Sequence, residues 1–530
     1  MPDLAASRER RWLILPVLCL SVFLVVVDNT IVNVALPTLN RHLGASISSL
    51  QWIVDAYSLA FAGLLLAGGG IGDRLGRKGT MQVGLILFGL FSAIAAAAHT
   101  TGSLVAARAL MGMAAAFIFP ASLAILTSIF DDPSERQKAL GVWGATSGIA
   151  VAFGPITGGA LLEHFWYGSI FLVNVPIVIV TLVAGQLLIP RLPRIEAHPF
   201  DTRGVIVSTA GVTALVLAII EGPQWGWAAP ATLACFSVAA ILLVTFTVLE
   251  LHTDGPLLDV RVFSIPRFSG GALSISVAFF CLFGFIFLIT EYFQFVKGYS
   301  TLSAGVHTLP FAIVAAIATP VAAVVALKVG SRLVVTTGLL LMSGGLLVAA
   351  FNTSAYTAYF GPIILAMVLL ALGLSSITAP TAEAVMGSVA DDQRGAAAGV
   401  NNTTRELGGT LGVAVFGSLF ASSYAPKITS AFRSLPIPSG PKAEAHQSVA
   451  AALAVVARAP RLVRPHLRSI AFTAFHSGLE VACVAGAGVA LLGALGAFKL
   501  LPGRAVGSTT HELDAQVMRP TEEDPELARA

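Results

Sequence analysis

Ionisable side chains stand inside several long apolar runs of this sequence. Asp28 lies in the run VVVDNTIVNVALP, and four others lie in later runs: Asp55, Arg108, Glu291 and Glu406. A charged group inside an apolar segment is costly unless it is paired or hydrated, and such groups tend to be functional. A carboxylate near an arginine stays ionised, whereas one that is moved away or desolvated takes up a proton. These residue types therefore predict a site that binds and releases protons.

The composition shows what must position these side chains. The chain has 530 residues, of which 56% are hydrophobic and only 11% are charged, and its mean hydropathy is +0.84. A soluble domain has about 25% charged residues, so this chain cannot cover a water-facing surface and belongs in a bilayer. The net charge of +3, without a basic cluster, gives no indication of a nucleic-acid partner.

No motif indicates an enzyme, a cofactor or a metal. The four cysteines all lie in apolar runs without CxxC spacing, so neither a disulfide framework nor a metal site is predicted. The phosphate-binding pattern G-x-x-x-x-G-K-[ST] does not occur in the sequence, which argues against direct drive by ATP. We expect a protein that is not an enzyme and that uses protons as its coupling ion.

Fourteen segments are long and apolar enough to span a bilayer, which takes about 20 residues. None alternates like a barrel strand, so we predict helices. The N-terminal run is too long for a signal peptide and is predicted as the first span. The segments are 12–36, 50–71, 80–99, 103–129, 138–162, 169–189, 204–221, 230–250, 269–294, 304–326, 333–351, 359–379, 398–421 and 470–499.

Lys and Arg predict the orientation, because cytoplasmic loops are enriched in them. With the N-terminus inside, the inner loops hold most of them, and the short outer loops hold only Arg41 and Lys297. Seven more lie in the long segment 422–469, which this orientation places outside against the rule. That segment contains the stretch KAEAHQSVAAALAVVARA, a candidate surface helix.

The spans place the first three charged residues at a similar depth. At about 1.5 Å per residue, Asp28 lies roughly 10 Å from the outer end of its span, and Asp55 and Arg108 lie roughly 8 Å from theirs. The alternative for each is a structural ion pair. Asp28 is the first candidate for the proton carrier.

The second half of the chain offers two further acids. Glu406 lies roughly 12 Å into span thirteen from inside, and we expect Arg405 to point elsewhere because adjacent residues do not share a helix face; a structural pair is the alternative. Glu291 stands in LITEYFQF, and an acid among aromatic rings suits an organic cation. An interfacial aromatic belt with a solvated acid fits Glu291 slightly better.

Two glycine-rich motifs stand between and within the spans. GGGIGDRLGRKG joins spans two and three, where glycines allow a tight turn and Asp73 can cap a helix or pair with a facing arginine as a breakable latch. A cytoplasmic loop that is merely rich in Lys and Arg does not explain the ordered pattern G-x-x-x-D-R-x-G-R-[RK] in this stretch. Its six defined positions are Gly69, Asp73, Arg74, Gly76, Arg77 and Lys78. In span five, small residues of GIAVAFGPITGGALLE thin and bend the helix so that neighbours approach closely. They are Gly154, Pro155, Gly158 and Gly159.

These motifs together resemble the signature motifs of the major facilitator superfamily. VDNTIVNVALP, GDRLGRK, the span-four Arg108 and GPITGG carry the resemblance. More narrowly, LQWIVDAYSLAFAG, HFWYGSIFLVNVP and ELGGTLGVAVFGSLF are similar to the fourteen-span drug:proton antiporters of the EmrB/QacA type. The resemblance extends over residues 12 to 500.

The resemblance implies an all-α membrane protein with two six-helix bundles, two extra helices between them and both termini in the cytoplasm. It also implies a midplane cavity and alternating access. Asp55 and Glu406 match acidic positions of the family. Two departures stand out. The stretch LKVGSRLVV lacks the aspartate that a second latch would have, so any latch there should be weaker. Asn402 stands where QacA-type exporters carry an acid, which puts transport of a broad range of divalent cations in doubt.

The predicted domains are a cytoplasmic N-terminus, the first bundle, an inserted two-helix linker, the second bundle with its external loop 422–469, and a disordered tail. Their limits are 1–11, 12–190, 191–251, 252–502 and 503–530.

We expect a monomeric, proton-coupled multidrug efflux transporter of a bacterial plasma membrane, in contact with membrane lipids, that exports amphipathic and cationic drugs or biocides. One alternative is a dedicated exporter of one natural product or lipid. A proton-coupled nutrient importer is less compatible with GPITGG, and a receptor or channel would not need acids in both bundles or a latch loop.

Overall fold

The computed structural model is built of α-helices, and it contains no strand among the residues that it describes. Those residues are 11–130, 132–190, 192, 201–253, 258, 260–354, 356–389, 394–433, 445, 448–461 and 463–503. The helices are α1 (Arg11–Leu43), α2 (Ile47–Leu75), α3 (Arg77–Ala96), α4 (Thr101–Ile129), α5 (Pro133–His164), α6 (Ser169–Leu188), α7 (Thr202–Trp225), α8 (Pro230–His252), α9 (Pro266–Val296), α10 (Thr301–His307, continued by Leu309–Val329), α11 (Ser331–Asn352), α12 (Tyr359–Met386), α13 (Arg394–Arg433), α14 (Val449–Arg458) and α15 (Arg464–Leu500).

Thirteen helices of the described part are long and apolar enough to cross a membrane. Helix α2, which contains the predicted span 50–71, is not one of the thirteen, and some of its side chains lie outside the description. It is nevertheless a continuous helix of 29 residues. The all-helical membrane architecture is confirmed, and the fourteenth span stays a prediction.

The long helices pack into two groups. One consists of α1–α6, and the other consists of α9–α13 together with α15. Close approach depends on glycine: a Cβ at Gly112 of α4 would overlap the Tyr57 carbonyl of α2, and one at Gly338 of α11 would lie 2.8 Å from the Gly373 carbonyl oxygen of α12. Such small residues let the backbones of neighbouring helices come into contact. Because lipid tails are as apolar as the helix side chains, this van der Waals packing is what drives helix association in a bilayer.

Glycine also makes the turns at one end of each group. We call the end that holds Arg11 and Leu500 the terminal face, and the other end the opposite face. At the terminal face, Gly76 joins α2 to α3 with φ 105° and Gly330 joins α10 to α11 with φ 93°. Residues with a side chain rarely adopt these angles, so both turns depend on glycine, and Gly76 makes the turn within the motif GGGIGDRLGRKG.

Helix α7 of the inserted pair bridges the two groups. The Ser418 hydroxyl of α13 donates to the Ile219 carbonyl of α7 at 2.6 Å and lies 3.4 Å from the Gln51 amide nitrogen of α2. The Trp52 indole of α2 donates to Glu221 of α7 at 3.0 Å. The three helices therefore meet in one polar junction.

We expect Ser418→Ala to lower thermal stability, because it leaves the Ile219 carbonyl without its partner at a cost of about 1 to 3 kcal/mol. The matched control is Ser237→Ala, since the exposed Ser237 donates only to a carbonyl of its own helix. Thermal unfolding of both variants in detergent is the measurement. Equal midpoints for the two variants would show that the junction contributes nothing.

The long segment after span thirteen differs from its predicted boundaries. Helix α13 continues to Arg433, so the predicted loop 422–469 begins as helix. The surface helix predicted in the alanine-rich stretch is confirmed as α14, which packs against α15 and α1. Its cap residue Ser448 donates to the Asn40 side chain of α1 at 3.3 Å, and the Tyr424 hydroxyl donates to the Ser448 carbonyl at 3.2 Å. The predicted disordered tail lies outside the described residues, apart from Gly503.

Candidate functional site

Asp28 and Arg108 form an ion pair in the interior of the first group. Arg108 Nη1 lies 2.6 Å from Asp28 Oδ2, and both side chains are fully buried. The other carboxylate oxygen accepts from the Asn174 amide of α6 at 2.7 Å, and that amide nitrogen also lies 3.0 Å from the Ser92 hydroxyl of α3. Four helices thus hold one carboxylate, and each of its oxygens has a different partner.

Arg108 is fixed from a second side by α2. Its Nε donates to the Ile53 carbonyl at 3.1 Å, and its guanidinium carbon lies 4.2 Å from the centre of the Tyr57 ring. Its Nη2 is buried and has no hydrogen-bond partner among the described residues. Removing one partner from a buried pair leaves an uncompensated charge, so any event at Asp28 must also affect Arg108 and the helices that hold it.

Asp55 is not part of this pair. It is fully buried, and neither of its carboxylate oxygens has a hydrogen-bond partner within the described part of the chain. Burying an isolated ionised carboxylate is very costly, so a charged Asp55 needs a partner that this conformation does not supply. Asp28, Asp55 and Arg108 are predicted at a similar depth, but only Asp28 and Arg108 form a pair among the described residues.

Glu406 is buried and pairs with its own neighbour in the chain. Arg405 Nη2 lies 3.2 Å from Glu406 Oε1, and the guanidinium carbon lies 5.1 Å from the Phe279 ring of α9. The expectation that Arg405 points elsewhere is wrong, because its long side chain folds back along the helix. Glu406 therefore has the structural pair that was its alternative.

Glu291 is only 2% exposed, so the expected solvated acid is wrong. It ends the α-helical part of α9, and the five residues that follow form a buried π-helical turn, Tyr292–Val296. This turn carries the end of α9 into the second group rather than to a lipid interface. The Tyr292 hydroxyl, for example, donates to the Ser354 carbonyl at 2.7 Å.

The structure describes only some of the side chains of the predicted latch. The side chains of Asp73 and Arg74 lie outside the description, and Gly69 is described only as part of the backbone of α2. Arg77 donates to the Ala124 carbonyl at 3.1 Å and to the Ser128 hydroxyl of α4. Lys78 donates to two carbonyls at the end of α6, those of Gln186 at 2.9 Å and Ile189 at 2.6 Å. The loop is tied to the ends of α4 and α6, and its role as a latch stays a prediction.

The second group has a counterpart of this loop without an acid, as the sequence indicates. Arg332 follows Gly330 and donates through Nε to the Leu501 carbonyl at 2.8 Å. It is thus held by backbone acceptors at the end of α15.

The glycine-rich helix α5 packs on both groups. A Cβ at Gly154 would overlap the Thr30 hydroxyl of α1, and one at Gly158 would lie 2.7 Å from the Ile31 side chain. Gly159 faces the other group, where its Cβ would lie 2.5 Å from the Leu302 Cα of α10. In return, a Cβ at Gly305 of α10 would overlap the Pro155 carbonyl. The predicted close approach therefore includes a contact between the two groups.

A cavity of about 50 Å³ lies between the groups, and its lining includes Asn33 of α1 and Thr290 of α9. Polar contacts also join the two groups nearer the opposite face. The Gln294 amide donates to the Val34 carbonyl at 2.8 Å, and the Gln51 amide of α2 donates to the Ala414 carbonyl of α13 at 2.8 Å. These contacts join the two groups near the opposite face in this conformation.

Sequence reasoning did not identify three of the polar partners. Asn174 and Ser92 belong to the network around Asp28, and Asn33 belongs to the cavity lining, but no sequence motif connected any of them to a site. The one sequence feature that could have identified these residues is that each is a polar side chain inside an apolar span. No pattern in a single sequence says which helix such a side chain faces.

Comparisons with known proteins agree with this arrangement. The model of the Major Facilitator Superfamily matches residues 18–413. The multidrug efflux pump LfrA of Mycolicibacterium smegmatis is 34% identical, covering 93% of this chain and 97% of that protein. The methyl viologen resistance protein SmvA of Salmonella typhimurium is 36% identical, covering 79% and 84%. A solved bacterial homologue of the human lysosomal transporter Spinster shares the fold, with a TM-score of 0.62, 17% identity and coverage of 93% of this chain and 99% of that one.

Proposed function

Because this chain belongs to the major facilitator superfamily, we propose that it is a proton-coupled multidrug efflux transporter of the EmrB/QacA type. It is a multi-pass protein of a bacterial membrane that moves small molecules and belongs to a family of transporters rather than enzymes. We also propose the predicted division into domains, with α1–α6 as one six-helix bundle and α9–α13 together with α15 as the other, and a monomeric protein.

The observation that carries the proposal is the buried node of Asp28, Arg108 and Asn174 inside the first group. Helix α1, which carries Asp28, also contributes Asn33 to the lining of the cavity between the two groups. A proton that reaches Asp28 weakens its attraction to Arg108, because the carboxylate loses its charge. The loss of this attraction alters the packing of α1, α4 and α6. A proton can therefore bias the arrangement of the first bundle.

The orientation links this node to a direction of transport. With the termini in the cytoplasm, the opposite face is the outside, and the hydrogen bonds of Gln294 and Gln51 join the two groups near it. Alternating access then requires those contacts to open when protons enter from outside. Asp55 and Glu406 tune the coupling, and Glu291 contributes to substrate binding.

Amphipathic organic cations are the substrates that fit best. The name of SmvA connects that relative with methyl viologen, an organic cation, and the cavity of this chain is lined by aromatic rings such as Phe285 and Phe311. Ring faces attract cations, and lipid is the medium from which amphipathic cations enter. No cofactor is required.

The test of this function is transport into or out of proteoliposomes. We expect an imposed pH gradient, without ATP, to drive accumulation of ethidium against its own gradient, and a protonophore to abolish that accumulation. Liposomes without protein are the control. Transport that needs ATP and ignores the pH gradient would refute proton coupling, and a failure to move any cation would refute the cationic substrate class.

A further inference from the structure

Asn33, a residue of the central cavity's lining, has a buried acceptor without a partner among the described residues. Asn33 lines the cavity and is 3% exposed, and its Oδ1 makes no hydrogen bond to any described residue. Its amide nitrogen lies 3.3 Å from the Asn29 carbonyl oxygen, to which it donates within α1. A buried acceptor without a donor costs stability, so Asn33 at the wall of this cavity has an unsatisfied oxygen that a ligand's donor would stabilise.

Two further side chains of the lining present oxygen lone pairs. The Thr290 hydroxyl donates to the Ile286 carbonyl at 2.9 Å, and the Thr308 hydroxyl donates to the Gly305 carbonyl at 2.7 Å. A hydroxyl has one hydrogen and two lone pairs. Because both hydrogens are used within their own helices, these groups can only accept from a ligand.

The rest of the described lining is apolar and carries no formal charge. It consists of Val34, Val151, Pro155, Leu282, Phe285, Ile286, Ile289, Leu309, Phe311, Ala312 and Met367. The carboxylate of Asp28 is already shared by Arg108 and Asn174. A ligand in this cavity therefore meets oxygen acceptors on an apolar wall, and it must bring the donor itself.

We propose that Asn33, assisted by Thr290 and Thr308, seats the head group of a protonated amine through an N–H donor, so that the transporter prefers protonated tertiary amines to quaternary ammonium ions of the same shape. This inference rests on the proposed function and specifies its substrate class. Both kinds of cation carry the same charge, but only the amine has a hydrogen to donate.

The dimensions agree with a head-group seat. A cavity of about 50 Å³ has room for a few water molecules, each of which needs roughly 10 to 15 Å³ measured in this way, and not for an entire drug. The body of an amphipathic substrate must use space that opens when the groups move. The discrimination takes place at the part of the molecule that carries the charge.

The experiment compares dodecyldimethylamine, which is protonated at pH 7, with dodecyltrimethylammonium, which differs from it by one N-methyl group. Binding of each below its micellar concentration to the full-length protein in nanodiscs is measured by calorimetry at pH 7. A hydrogen bond that involves a charged group is worth enough that we expect the amine to bind roughly tenfold more tightly than the quaternary ion.

Asn33→Leu should remove this preference by weakening binding of the amine to the level of the quaternary ion, whose affinity should stay the same. Thr290→Val keeps the shape of the side chain and should reduce the preference to a smaller extent. The matched control is Asn352→Leu, because Asn352 also donates to a carbonyl of its own helix, that of Val348, but is exposed on α11. It should keep the full preference.

Equal affinity of the wild-type protein for the two cations would overturn the inference, and so would a loss of affinity for both in Asn33→Leu. Absence of binding by either cation would also overturn it. Each of these results leaves gradient-driven ethidium transport as a separate measurement, so failure of the head-group seat and failure of the proposed function can be told apart. If Asn33→Leu does not fold, the affinities of the wild-type protein for the two cations still test the inference.

Discussion

Asp28→Asn is expected to abolish export driven by a pH gradient while the protein still inserts into the membrane. Asparagine has nearly the shape of aspartate, but it cannot take up or release a proton. Arg108, whose partner in the structure is Asp28 at 2.6 Å, is left without a counter-charge. Substrate-induced proton release from purified protein in detergent is the decisive measurement, and we expect it to fall to the background in this variant.

Loss of stability must be separated from loss of coupling. Breaking a buried ion pair by removing one partner costs about 3 to 5 kcal/mol, so Asp28→Asn alone should also unfold more readily. The double variant Asp28→Asn with Arg108→Gln replaces the pair by two neutral amides and should regain stability without regaining proton release. Asp201→Asn is the matched control, since Asp201 caps α7 by accepting from the Gly204 amide at 2.9 Å and asparagine caps equally well.

Proton release of normal size from Asp28→Asn would show that the carrier lies elsewhere, and Glu406 would be the next candidate. Asp55→Asn should have a milder effect that reduces export of cations more than export of neutral drugs. Asp55 has no hydrogen-bond or ion-pair partner among the described residues, so its replacement leaves none of their charges uncompensated.

Gly159→Val is expected to prevent closure of the opposite face. Even the first carbon of the valine side chain would lie 2.5 Å from the Leu302 Cα and 2.8 Å from the Thr301 carbonyl oxygen, both backbone atoms of the other group. Backbone cannot turn away as a side chain can. If the clash costs about 3 kcal/mol in the closed state, the equilibrium between closed and open conformations shifts on the order of 100-fold.

Labelling from outside should detect this shift. A cysteine placed at Thr308, in the cavity lining, should react with a membrane-impermeant maleimide much faster in Gly159→Val than in the parent, and transport should decrease in proportion. Gly144→Val is the matched control, because Gly144 lies on the same helix and a Cβ there meets nothing within 4 Å. Normal transport and slow labelling in Gly159→Val would contradict a closure role for this contact.

The two inserted helices show what can be predicted from the length and composition of an apolar segment. The segments 204–221 and 230–250 were predicted from apolar length, and the structure has helices at Thr202–Trp225 and Pro230–His252. Their existence follows from local composition, because a backbone in lipid must satisfy its own hydrogen bonds. That α7 lies between α2 and α13 through Trp52 and Ser418 is not written in either segment, since it depends on which surfaces meet.

Glu291 and Arg405 show why local arguments about side chains were wrong. The sequence around Glu291 has the aromatic residues of an interface, yet neighbouring helices bury the turn that follows it. Arg405 was expected to leave Glu406 because adjacent residues differ in direction by helix geometry. A flexible guanidinium covers that difference where a carboxylate and the Phe279 ring lie within its reach.

The amino-acid sequence alone determined the membrane environment, the helical class, the superfamily and the set of charged residues worth testing, because each depends on composition, segment length or a contiguous motif. The tertiary structure decided the partners. It joined Asp28 to Arg108 and Asn174, which are separated from it by 80 and 146 positions in the chain. It left Asp55 without a hydrogen-bond partner among the described residues and placed Asn33 in the lining of a cavity. The physical reason is that burial and pairing energies depend on distances between helices, and helical periodicity does not specify the neighbour that each face meets.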